Sequence, residues 1–522
     1  MNGGNRESSG GPWGLRIILR PMRMAIALLA LPLVAAQSQG SLDSLRPPLP
    51  AREFRGLWVA TVRNMDWPSR AGLSTAEQQQ ELLAILDRAA ILKMNAIVFQ
   101  VRTEADALYA SKYEPWSRYL TGEQGKSPDP AWDPLEFAVT EAHKRGLELH
   151  AWFNPYRAAF RREEPTAKSH VSKAHKSLVV PYAQFLWMDP SKPEVRQLML
   201  RSVLDVVRRY DIDAVHIDDY FYPYPELKAG QRIEFPDAAG FAAYRRAGGA
   251  LDRADWRRRN VDVLIRELYA AVKGVKIWVK VGISPFGIWR PGFPPTTTAG
   301  IDQYDELFAD ARKWLREGTL DYLAPQLYWP VQPPEQSYPA LLAWWSEQNV
   351  MGRHLWPGLA LYKLPITGPR RMSADDIVQE IQLTRETPGA TGHIHFNATV
   401  LMQNVDGIAD KLAEAYAEPA LVPASPWLDQ TPPARPLAAV MRDSTIGGET
   451  VIVRFAPQEG AKGGIGWWVL QLRVNGTWQT AILPGTERRR ILSTDEAAAD
   501  VVSVTAVDRN GNASVPALVR IR

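Results

Sequence analysis

The sequence contains no cysteine. This absence excludes disulfide bonds, thiolate nucleophiles, cysteine-ligated zinc and iron–sulfur clusters. Exported proteins often carry disulfides, but a chain of 522 residues can bury enough apolar surface to fold without them. The stability of this protein therefore comes from burial of apolar side chains.

The sequence also lacks a strong charge of either sign and the signatures of nucleotide binding. Its formal net charge is +4, and no block of lysines and arginines with interleaved aromatics recurs on a helix face, so we expect no nucleic-acid partner. No Gly-x-Gly-x-x-Gly follows the first strand pattern, and no Gly-x-x-x-x-Gly-Lys-Ser/Thr occurs. These absences argue against dinucleotide and P-loop folds.

Residues 1–36 have the pattern of a signal peptide. Arg16, Arg20 and Arg23 precede an apolar run over 24–36, which is short for a bilayer span and ends in a small-residue cleavage pattern, Val34-Ala35-Ala36. No cysteine follows to carry a lipid, so we expect an exported periplasmic or secreted protein without a stable membrane anchor after cleavage. A retained single-span anchor is the alternative. Residues 37–52 read as a linker.

Eight short apolar runs alternate with amphipathic helical patterns between residues 53 and 418. The runs are 55–62, 96–102, 147–154, 213–218, 277–284, 322–329, 355–362 and 393–397. The helical patterns cover 77–93, 135–145, 190–210, 255–273, 305–317, 338–348, 377–386 and 405–416, and several follow a start signal such as Asp133-Pro134 or Ser373 with Asp376. Strict alternation predicts a parallel sheet with helices outside it, and eight units predict a closed (β/α)8 TIM barrel, an α/β fold.

The remaining chain has a different composition. Six prolines mark a linker over 419–436, and seven short alternating runs separated by turn signals fill 437–522. Seven strands in under ninety residues predict a small β-sandwich of the fibronectin type III or immunoglobulin-like kind. We find no candidate catalytic residues in this segment.

One stretch, 213–225, combines a strand pattern with acids and aromatics. Alternation places Val215 and Ile217 on one face and His216 and Asp218 on the other. Asp218 and Asp219 stand where the strand ends, which is the position of catalytic groups in a barrel. Asp is also common as a turn former or cap, and the Tyr-Phe-Tyr-Pro-Tyr-Pro run that follows favours the functional interpretation.

Other polar and aromatic residues are expected at the same barrel mouth. Indoles, phenols and amides suit a sugar, since pyranose rings offer CH faces to aromatic planes and hydroxyls to hydrogen-bonding groups. The candidate substrate-binding residues are Trp58, Arg102, His150, Trp152, Asn154, Tyr156, Arg157, His216, Tyr220, Lys280, Ser284, Gln326, Tyr328 and Trp329.

Glycoside hydrolysis normally needs two carboxyl groups beside the scissile bond. Asp218 is the first choice for the carboxylate that attacks or electrostatically supports the sugar carbon. Asp219 and Asp106 are the candidates for the proton donor, and the sequence does not decide between them. We expect a polysaccharide substrate, no cofactor, no metal and no defined protein partner.

Two other functions stay open. A glycan-binding pseudoenzyme would hold polymer on the same aromatic rim without cutting it. A metal-dependent deacetylase or phosphodiesterase would use His150, His216 and His395 with Asp218 as ligands, although no His-Glu-x-x-His motif occurs.

Several long motifs resemble the bacterial glycosyl-hydrolase-like family ten over residues 53–416. They are EFRGLWVAT at 53–61, FQVR at 99–102 with DALY at 106–109, GLELHAWFNPYR at 146–157, HIDDYFYPYP at 216–225, WRRRN at 256–260 and PQLYW at 325–329. The resemblance implies an exported TIM-barrel glycosidase, often with a trailing fibronectin-like module. It also implies action on peptidoglycan glycan strands, particularly strands stripped of stem peptides. The sequence departs from lipoprotein members in lacking a lipid-accepting cysteine.

Overall fold

The computed structural model describes residues 45–368, 371–443, 450–458 and 464–521, together with Leu42. The predicted signal peptide over 1–36 lies outside these residues. Pro47–Arg522 forms one compact unit that contains both an α/β barrel and the antiparallel sheets that follow it. Among the described residues, no helix combines the length and apolarity that crossing a bilayer requires.

Nine parallel strands form the main sheet of the described chain. In chain order they are β1 Phe54–Val59, β2 Ala96–Arg102, β3 Glu148–Phe153, β4 Ala214–Ile217, β5 Lys280–Ile283, β6 Tyr322–Leu323, β7 His354–Leu355, β8 Gly358–Ala360 and β9 Gly392–Phe396. Their order in the sheet is β7-β6-β5-β4-β3-β2-β1-β9-β8. The predicted α/β TIM barrel is confirmed.

The ninth strand arises because one predicted strand is interrupted. Pro357 separates β7 from β8, and proline has no N–H for a sheet ladder. The ladder continues on both sides of it, since Trp356 N donates to Leu323 O and Ile394 N donates to Pro357 O. The segments β7 and β8 therefore act as one seventh strand, and the two ends of the sheet meet in a closed ring.

Strand alternation separates two apolar layers. Val215 and Ile217 of β4 pack with the surrounding helices. Ala214 of the same strand packs inside the ring, where Phe54 stacks on Trp356 with ring centroids 3.7 Å apart. The predicted inward face of the 213–218 strand is thus confirmed.

Helices form over seven of the eight predicted helical segments, and the described chain contains further helices that the sequence does not predict. The described helices are α1 Thr75–Ile91, α2 Arg118–Thr121, α3 Pro134–Lys144, α4 Val171–Ala174, α5 Pro193–Arg209, α6 Ala238–Arg246, α7 Arg253–Val275, α8 Gln303–Glu306, α9 Ala311–Glu317, α10 Tyr338–Gln348, α11 Ala374–Glu386, α12 Ala398–Met402 and α13 Ile408–Ala415. Asp133 caps α3, and Ser373 forms a capping box with Asp376 at α11.

One predicted helix was wrong in extent. The sequence pattern favoured a continuous helix over 305–317, whereas the structure has the short α8 and then α9. Phe308 between them adopts a left-handed backbone with φ of 52°, which a continuing helix cannot contain.

The described C-terminal residues form two antiparallel sheets. One contains Leu437–Asp443, Thr450–Ala456 and Arg489–Ile491, and the other contains Thr477–Pro484, Trp467–Val474, Val501–Val507 and Ala517–Arg520. Side chains from both sheets, including Val453, Phe455, Trp468 and Val504, share one buried cluster. The predicted seven-stranded β-sandwich is confirmed.

The sandwich contacts the end of the barrel opposite the strand C-termini. Arg509 donates to Asp213 at 2.7 Å and also contacts Asp211, just before β4. The Trp467 indole donates to Gly146 O at 3.0 Å, just before β3. The mouth formed by the C-terminal ends of the strands is therefore left uncovered by these contacts.

Candidate active site

Asp218 and Asp219 lie side by side where β4 ends, and both line a cleft at the barrel mouth. Each residue is about 4% exposed or less. The peptide after β4 is fixed from the neighbouring strand, because Ser284 N donates to Ile217 O at 2.9 Å. Two carboxyl groups are thus held together at the C-terminal end of a barrel strand, where barrel enzymes place reacting groups.

Asp218 is oriented by two donors from the end of β3. The Trp152 indole Nε1 donates to Asp218 Oδ2 at 3.0 Å, and Asn154 Nδ2 donates to the same oxygen at 3.1 Å. The Asn154 amide is itself oriented, since its Oδ1 accepts a hydrogen bond from Arg157 N at 2.9 Å. These contacts fix which oxygen of Asp218 faces the protein.

Asp219 has a different partner. The Tyr224 hydroxyl donates to Asp219 Oδ2. Tyr224 belongs to the aromatic loop after β4, and its ring lies 5.6 Å from that of Tyr220. A hydroxyl can either donate or accept, so this partner accommodates both protonation states of the acid.

Both carboxyl groups hold protons more tightly than usual. Burial raises the pKa of Asp218 to about 7, with a smaller rise from Asp219 and an opposing effect of Arg157. Burial also raises the pKa of Asp219 to about 6, against the hydrogen bond from Tyr224. Because neighbouring acids titrate together, the two values describe the pair. Near neutral pH the pair therefore holds about one proton.

The cleft around the two acids has a volume of about 370 Å³. Its walls carry both rings and polar groups, contributed by Trp58, Ala60, Val62, Arg63, Met65, Gln100, Trp152, Arg157, Phe160, Tyr220, Tyr224, Ser284, Gln326, Tyr328 and Phe396. A second hollow of about 510 Å³ adjoins it and shares Tyr224, Gln326, Tyr328 and Phe396. Trp329, Phe286 and Tyr362 line this second hollow, so the aromatic surface extends beyond the acids.

His216 lies beneath the cleft floor. Its Nε2 is 3.2 Å from the donating Trp58 Nε1 and 2.9 Å from Ser284 Oγ, and its Nδ1 is 2.9 Å from the Tyr322 hydroxyl. Burial holds the pKa of His216 well below its ordinary value, so the ring is neutral. His216 therefore positions Trp58 and Ser284 and is not among the residues that line the cleft.

Asp106 lies away from the cleft. It is buried in the loop after β2, where its Oδ1 accepts from the Thr103 hydroxyl at 2.7 Å and from Glu104 N at 3.0 Å. Gln124 Nε2 donates to its other oxygen. The loop folds back on itself, so the carboxyl group closes a turn and does not reach the cleft wall.

Four expected substrate-binding residues also lie elsewhere. Arg102 pairs with Glu114 at 2.6 Å, and Tyr156 is buried in the outer apolar core. His150 and Lys280 both contact Glu148 inside the barrel, Lys280 Nζ at 2.9 Å. Lys280 faces inward as expected, but it is the first residue of β5 and so lies far below the strand ends.

The structure adds residues that the sequence interpretation did not single out as ligand-binding. Phe160, Phe396 and Met65 reach the cleft from three separate segments, and Gln100 supports its rim by accepting from Thr61 N and Val62 N. Tyr224 lies in the aromatic run that drew attention to the site. For the others no sequence signal distinguishes them from core residues.

The histidines proposed as metal ligands do not converge on one point with Asp218. His395 lies 2.7 Å from the Tyr416 hydroxyl, while His150 and His216 contact Tyr322. In the described part of the chain, no three His, Cys, Asp or Glu side chains converge in a way that could hold a metal ion.

Sequence comparison places this barrel among known proteins. Residues 53–373 match the family model described as glycosyl hydrolase-like 10. The chain belongs to this family. Glycosyl hydrolase YngK of Bacillus subtilis (strain 168) is 44% identical over 396 residues, covering 74% of this chain and 76% of YngK. Glycosyl hydrolase DigH of Escherichia coli (strain K12) is 35% identical over 381 residues, covering 67% of this chain and 84% of DigH.

Solved structures resemble this glycosyl hydrolase-like 10 protein only distantly. The catalytic domain of β-amylase from Paenibacillus polymyxa has a TM-score of 0.47 at 12% identity and covers 70% of this chain and 99% of that domain. The PgaB (BpsB) glycoside hydrolase domain from Bordetella bronchiseptica has a TM-score of 0.45 at 13% identity, with coverage of 70% and 99%. Similarities of this size do not bear on the function of the family member described here.

Proposed function

We propose that this protein is a glycoside hydrolase that cleaves peptidoglycan glycan strands, particularly strands stripped of stem peptides, with Asp218 and Asp219 as its reacting acids. The observation that carries the proposal is the pair of adjacent, buried carboxyl groups that opens on an aromatic cleft at the barrel mouth. Membership of a glycosyl hydrolase-like family supports the reaction class. The peptidoglycan substrate comes from the family resemblance.

Asp218 is proposed as the acid that works in its ionised form. The Trp152 indole and the oriented Asn154 amide both donate to Asp218 Oδ2, and neither group can accept a hydrogen from it at that position. Hydrogen bonds donated to a carboxylate favour the charged form. An ionised Asp218 can attack the anomeric carbon or stabilise its developing positive charge.

Asp219 is proposed as the proton donor. Asp106, the other candidate, lies in a closed turn outside the cleft. The Tyr224 hydroxyl can turn from donor to acceptor when Asp219 carries a proton. Burial gives Asp218 the higher pKa of the two, about 7 against about 6, but these values describe the pair of acids. The hydrogen bonds that Trp152 and Asn154 donate to Asp218 favour placing the shared proton on Asp219.

The proposed reaction breaks the bond between the anomeric carbon and the glycosidic oxygen. Asp219 gives its proton to that oxygen, which leaves with the bonding electrons as a sugar hydroxyl. The positive charge at the anomeric carbon is met by the Asp218 carboxylate. A water molecule then adds to the carbon and returns one proton to Asp219, so both acids end in their starting states.

The shape of the cleft supports a polymeric substrate. One pyranose ring can stack on the aromatic side chains that surround the acids, such as Trp152 and Tyr328, and hydrogen-bond to Gln326 and Ser284. The adjoining hollow, lined by Trp329 and Tyr362, offers room for a neighbouring sugar. A substrate in the cell envelope also agrees with the export that residues 1–36 predict, and we propose a periplasmic or secreted location.

The proposal is tested by digesting peptide-free glycan strands and analysing the products by mass spectrometry. The wild-type chain is expected to shorten the strands, and Asp218→Asn and Asp219→Asn are each expected to lower the rate by about 10²- to 10⁴-fold. Asp375→Asn is the matched control, because Asp375 is an exposed acid on α11 whose side chain is 79% accessible. Binding of intact strands without cleavage would contradict the enzyme proposal and favour a glycan-binding pseudoenzyme.

A further inference from the structure

Five arginines are buried among the described residues, and four of them have a carboxylate partner. Arg55 pairs with Glu53, Arg102 with Glu114, Arg257 with Asp237 and Arg258 with Asp255, at 2.6 to 2.7 Å. Arg157 is the fifth and is 2% exposed. Within the described chain no carboxylate oxygen lies within 4.0 Å of its guanidinium nitrogens. The buried carboxyl groups of Glu104, Asp218 and Asp219 act on Arg157 only from a longer distance, so its guanidinium has no carboxylate to hydrogen-bond, unlike those of the other four.

The contacts of Arg157 are with neutral groups. Its Nε donates to Thr103 O at 3.3 Å, and its guanidinium carbon lies 4.7 Å from the centre of the Tyr220 ring. Its backbone is fixed, because it begins the strand Arg157–Ala159, which pairs with Phe185–Met188. Ordering of this kind holds the guanidinium in place before any ligand arrives.

The guanidinium of Arg157 lines the same cleft as the two acids. It acts on their titration at longer range, since it opposes the rise in the pKa of Asp218 and of Asp219. It is thus close enough to meet the same sugar as the acids, or the next sugar along the polymer. The planar fork of an arginine side chain matches a carboxylate with two parallel hydrogen bonds.

A second cation lies at this end of the cleft. Arg63 is exposed and lines the cleft. Its guanidinium carbon lies 4.9 Å from the centre of the Phe160 ring, and that of Arg157 lies 5.8 Å from the same ring. Arg63 has a left-handed backbone with φ of 55°, unusual for a residue with a side chain. The preceding residues are held by Gln100, which accepts from Thr61 N and Val62 N. The cleft is therefore positively charged at one end and aromatic at the other.

We propose that Arg157 binds a carboxylate carried by the glycan, and that this contact makes the cleft selective for acidic over neutral sugar polymers. The inference rests on the glycan substrate proposed above and names a substituent on it. Two kinds of sugar present such a group: a sugar with a 3-O-lactyl ether, as in muramic acid, and a hexuronic acid. The ligand chemistry is the same, and the experiment separates the two sources.

The test measures binding by calorimetry to the full-length chain carrying Asp219→Asn, so that no ligand is cut. Four tetrasaccharides are compared: a peptide-free muramic-acid oligosaccharide, the same compound with its carboxyl groups reduced to alcohols, hyaluronan tetrasaccharide and chitotetraose. We expect at least one acidic ligand to bind about 10- to 100-fold more tightly than its neutral counterpart, the range of a charge-assisted hydrogen bond. A preference for the muramic-acid compound identifies a lactyl group, and a preference for hyaluronan identifies a uronate.

Variants assign the preference to Arg157. Arg157→Lys keeps the charge but loses the fork, and Arg157→Met loses both, so each is expected to remove most of the acidic preference. Arg161→Met is the matched control, because Arg161 is an exposed arginine in the same segment and does not line the cleft. If an Arg157 variant fails to fold, the comparison of acidic and reduced ligands in the Asp219→Asn parent still decides whether the cleft prefers a carboxylate.

Equal affinity for acidic and neutral ligands, or no binding of any of them, would overturn the inference. So would an acidic preference that survives Arg157→Met in a folded chain. The outcome is separable from that of the proposed reaction. Selective binding with no hydrolysis by the wild-type chain would refute the proposed reaction and leave this inference standing. Hydrolysis of acidic and neutral strands at equal rates would support the proposed reaction and refute this inference.

Discussion

Replacing Asp218 with asparagine should make the protein more stable in neutral and alkaline solution while removing its proposed activity. Asp218 is buried, and its pKa rises from the ordinary 3.8 to about 7 in the folded chain. The unfolded chain releases this proton at lower pH than the folded chain does. Folding therefore becomes less favourable as the pH rises from about 4 to about 7, and the whole loss is present above the folded pKa.

The structure sets the size of the effect. A rise from 3.8 to about 7 corresponds to at most about 4 kcal/mol of lost stability above pH 7, because part of the rise comes from the neighbouring Asp219. Asparagine is neutral in both states, and its side-chain oxygen can still accept from Trp152 and Asn154. For a unit as long as Pro47–Arg522, roughly 1 kcal/mol changes the melting temperature by about 1 °C, so the largest expected gain is about 4 °C.

The assay is thermal unfolding of the wild-type chain, Asp218→Asn and the exposed control Asp375→Asn between pH 4 and pH 8. The wild-type and Asp218→Asn proteins should melt at similar temperatures near pH 4, and the variant should gain steadily up to about pH 7. Asp375→Asn removes only an exposed ion pair with Lys411, so it should stay within about 1 °C of the wild type at every pH. A variant that is less stable at pH 8, or a difference that does not change with pH, would refute the argument from burial.

Four further predictions concern activity and packing. The rate of glycan hydrolysis should follow a bell-shaped pH profile whose limbs lie near 6 and 7, because one proton must be shared between Asp218 and Asp219; a rate that is constant from pH 4 to pH 9 would contradict it. Trp152→Phe removes one donor to Asp218 and should lower kcat by about 10- to 100-fold in steady-state assays, with an unchanged kcat counting against the contact. Gly282→Ala should cost about 1–3 kcal/mol in denaturant unfolding, because its added carbon would lie 1.8 Å from the ring of Tyr322; wild-type stability would mean that the barrel interior is looser than described. Treatment with EDTA should leave hydrolysis unchanged, and loss of activity that added divalent metal restores would favour the metal-dependent alternative.

The barrel was predictable because its signals are local and repeated. The alternation in 213–218 gave the face of each side chain on β4, and proline and serine or aspartate caps gave several helix starts. The sequence pattern did not show that Pro357 divides one strand into β7 and β8. The apolar run 355–362 continues across the proline, and the Pro357 carbonyl still accepts a hydrogen bond from Ile394 N.

The site was predictable only in part. A strand pattern tells on which face of the sheet a side chain lies, but not how far along the barrel axis it lies. Lys280 faces inward as its parity requires, yet it begins β5 and pairs with Glu148 deep in the barrel. Asp106 follows a strand end, as Asp218 does. The loop turns back there, and Thr103 and Glu104 donate hydrogen bonds to the Asp106 carboxyl group. Phe160 lies in a loop and Phe396 at the end of β9, far apart in the sequence, and only the folded chain brings both to the cleft.

The central claim is that a glycan binds across Asp218 and Asp219, and a crystal structure of Asp219→Asn with a peptide-free glycan oligosaccharide tests it most directly. We expect a glycosidic oxygen within hydrogen-bond reach, about 3 Å, of the side chain at position 219. The anomeric carbon beside it should face the Asp218 carboxylate. An oligosaccharide bound elsewhere, or one lying in the cleft with no glycosidic bond near either residue, would contradict the account.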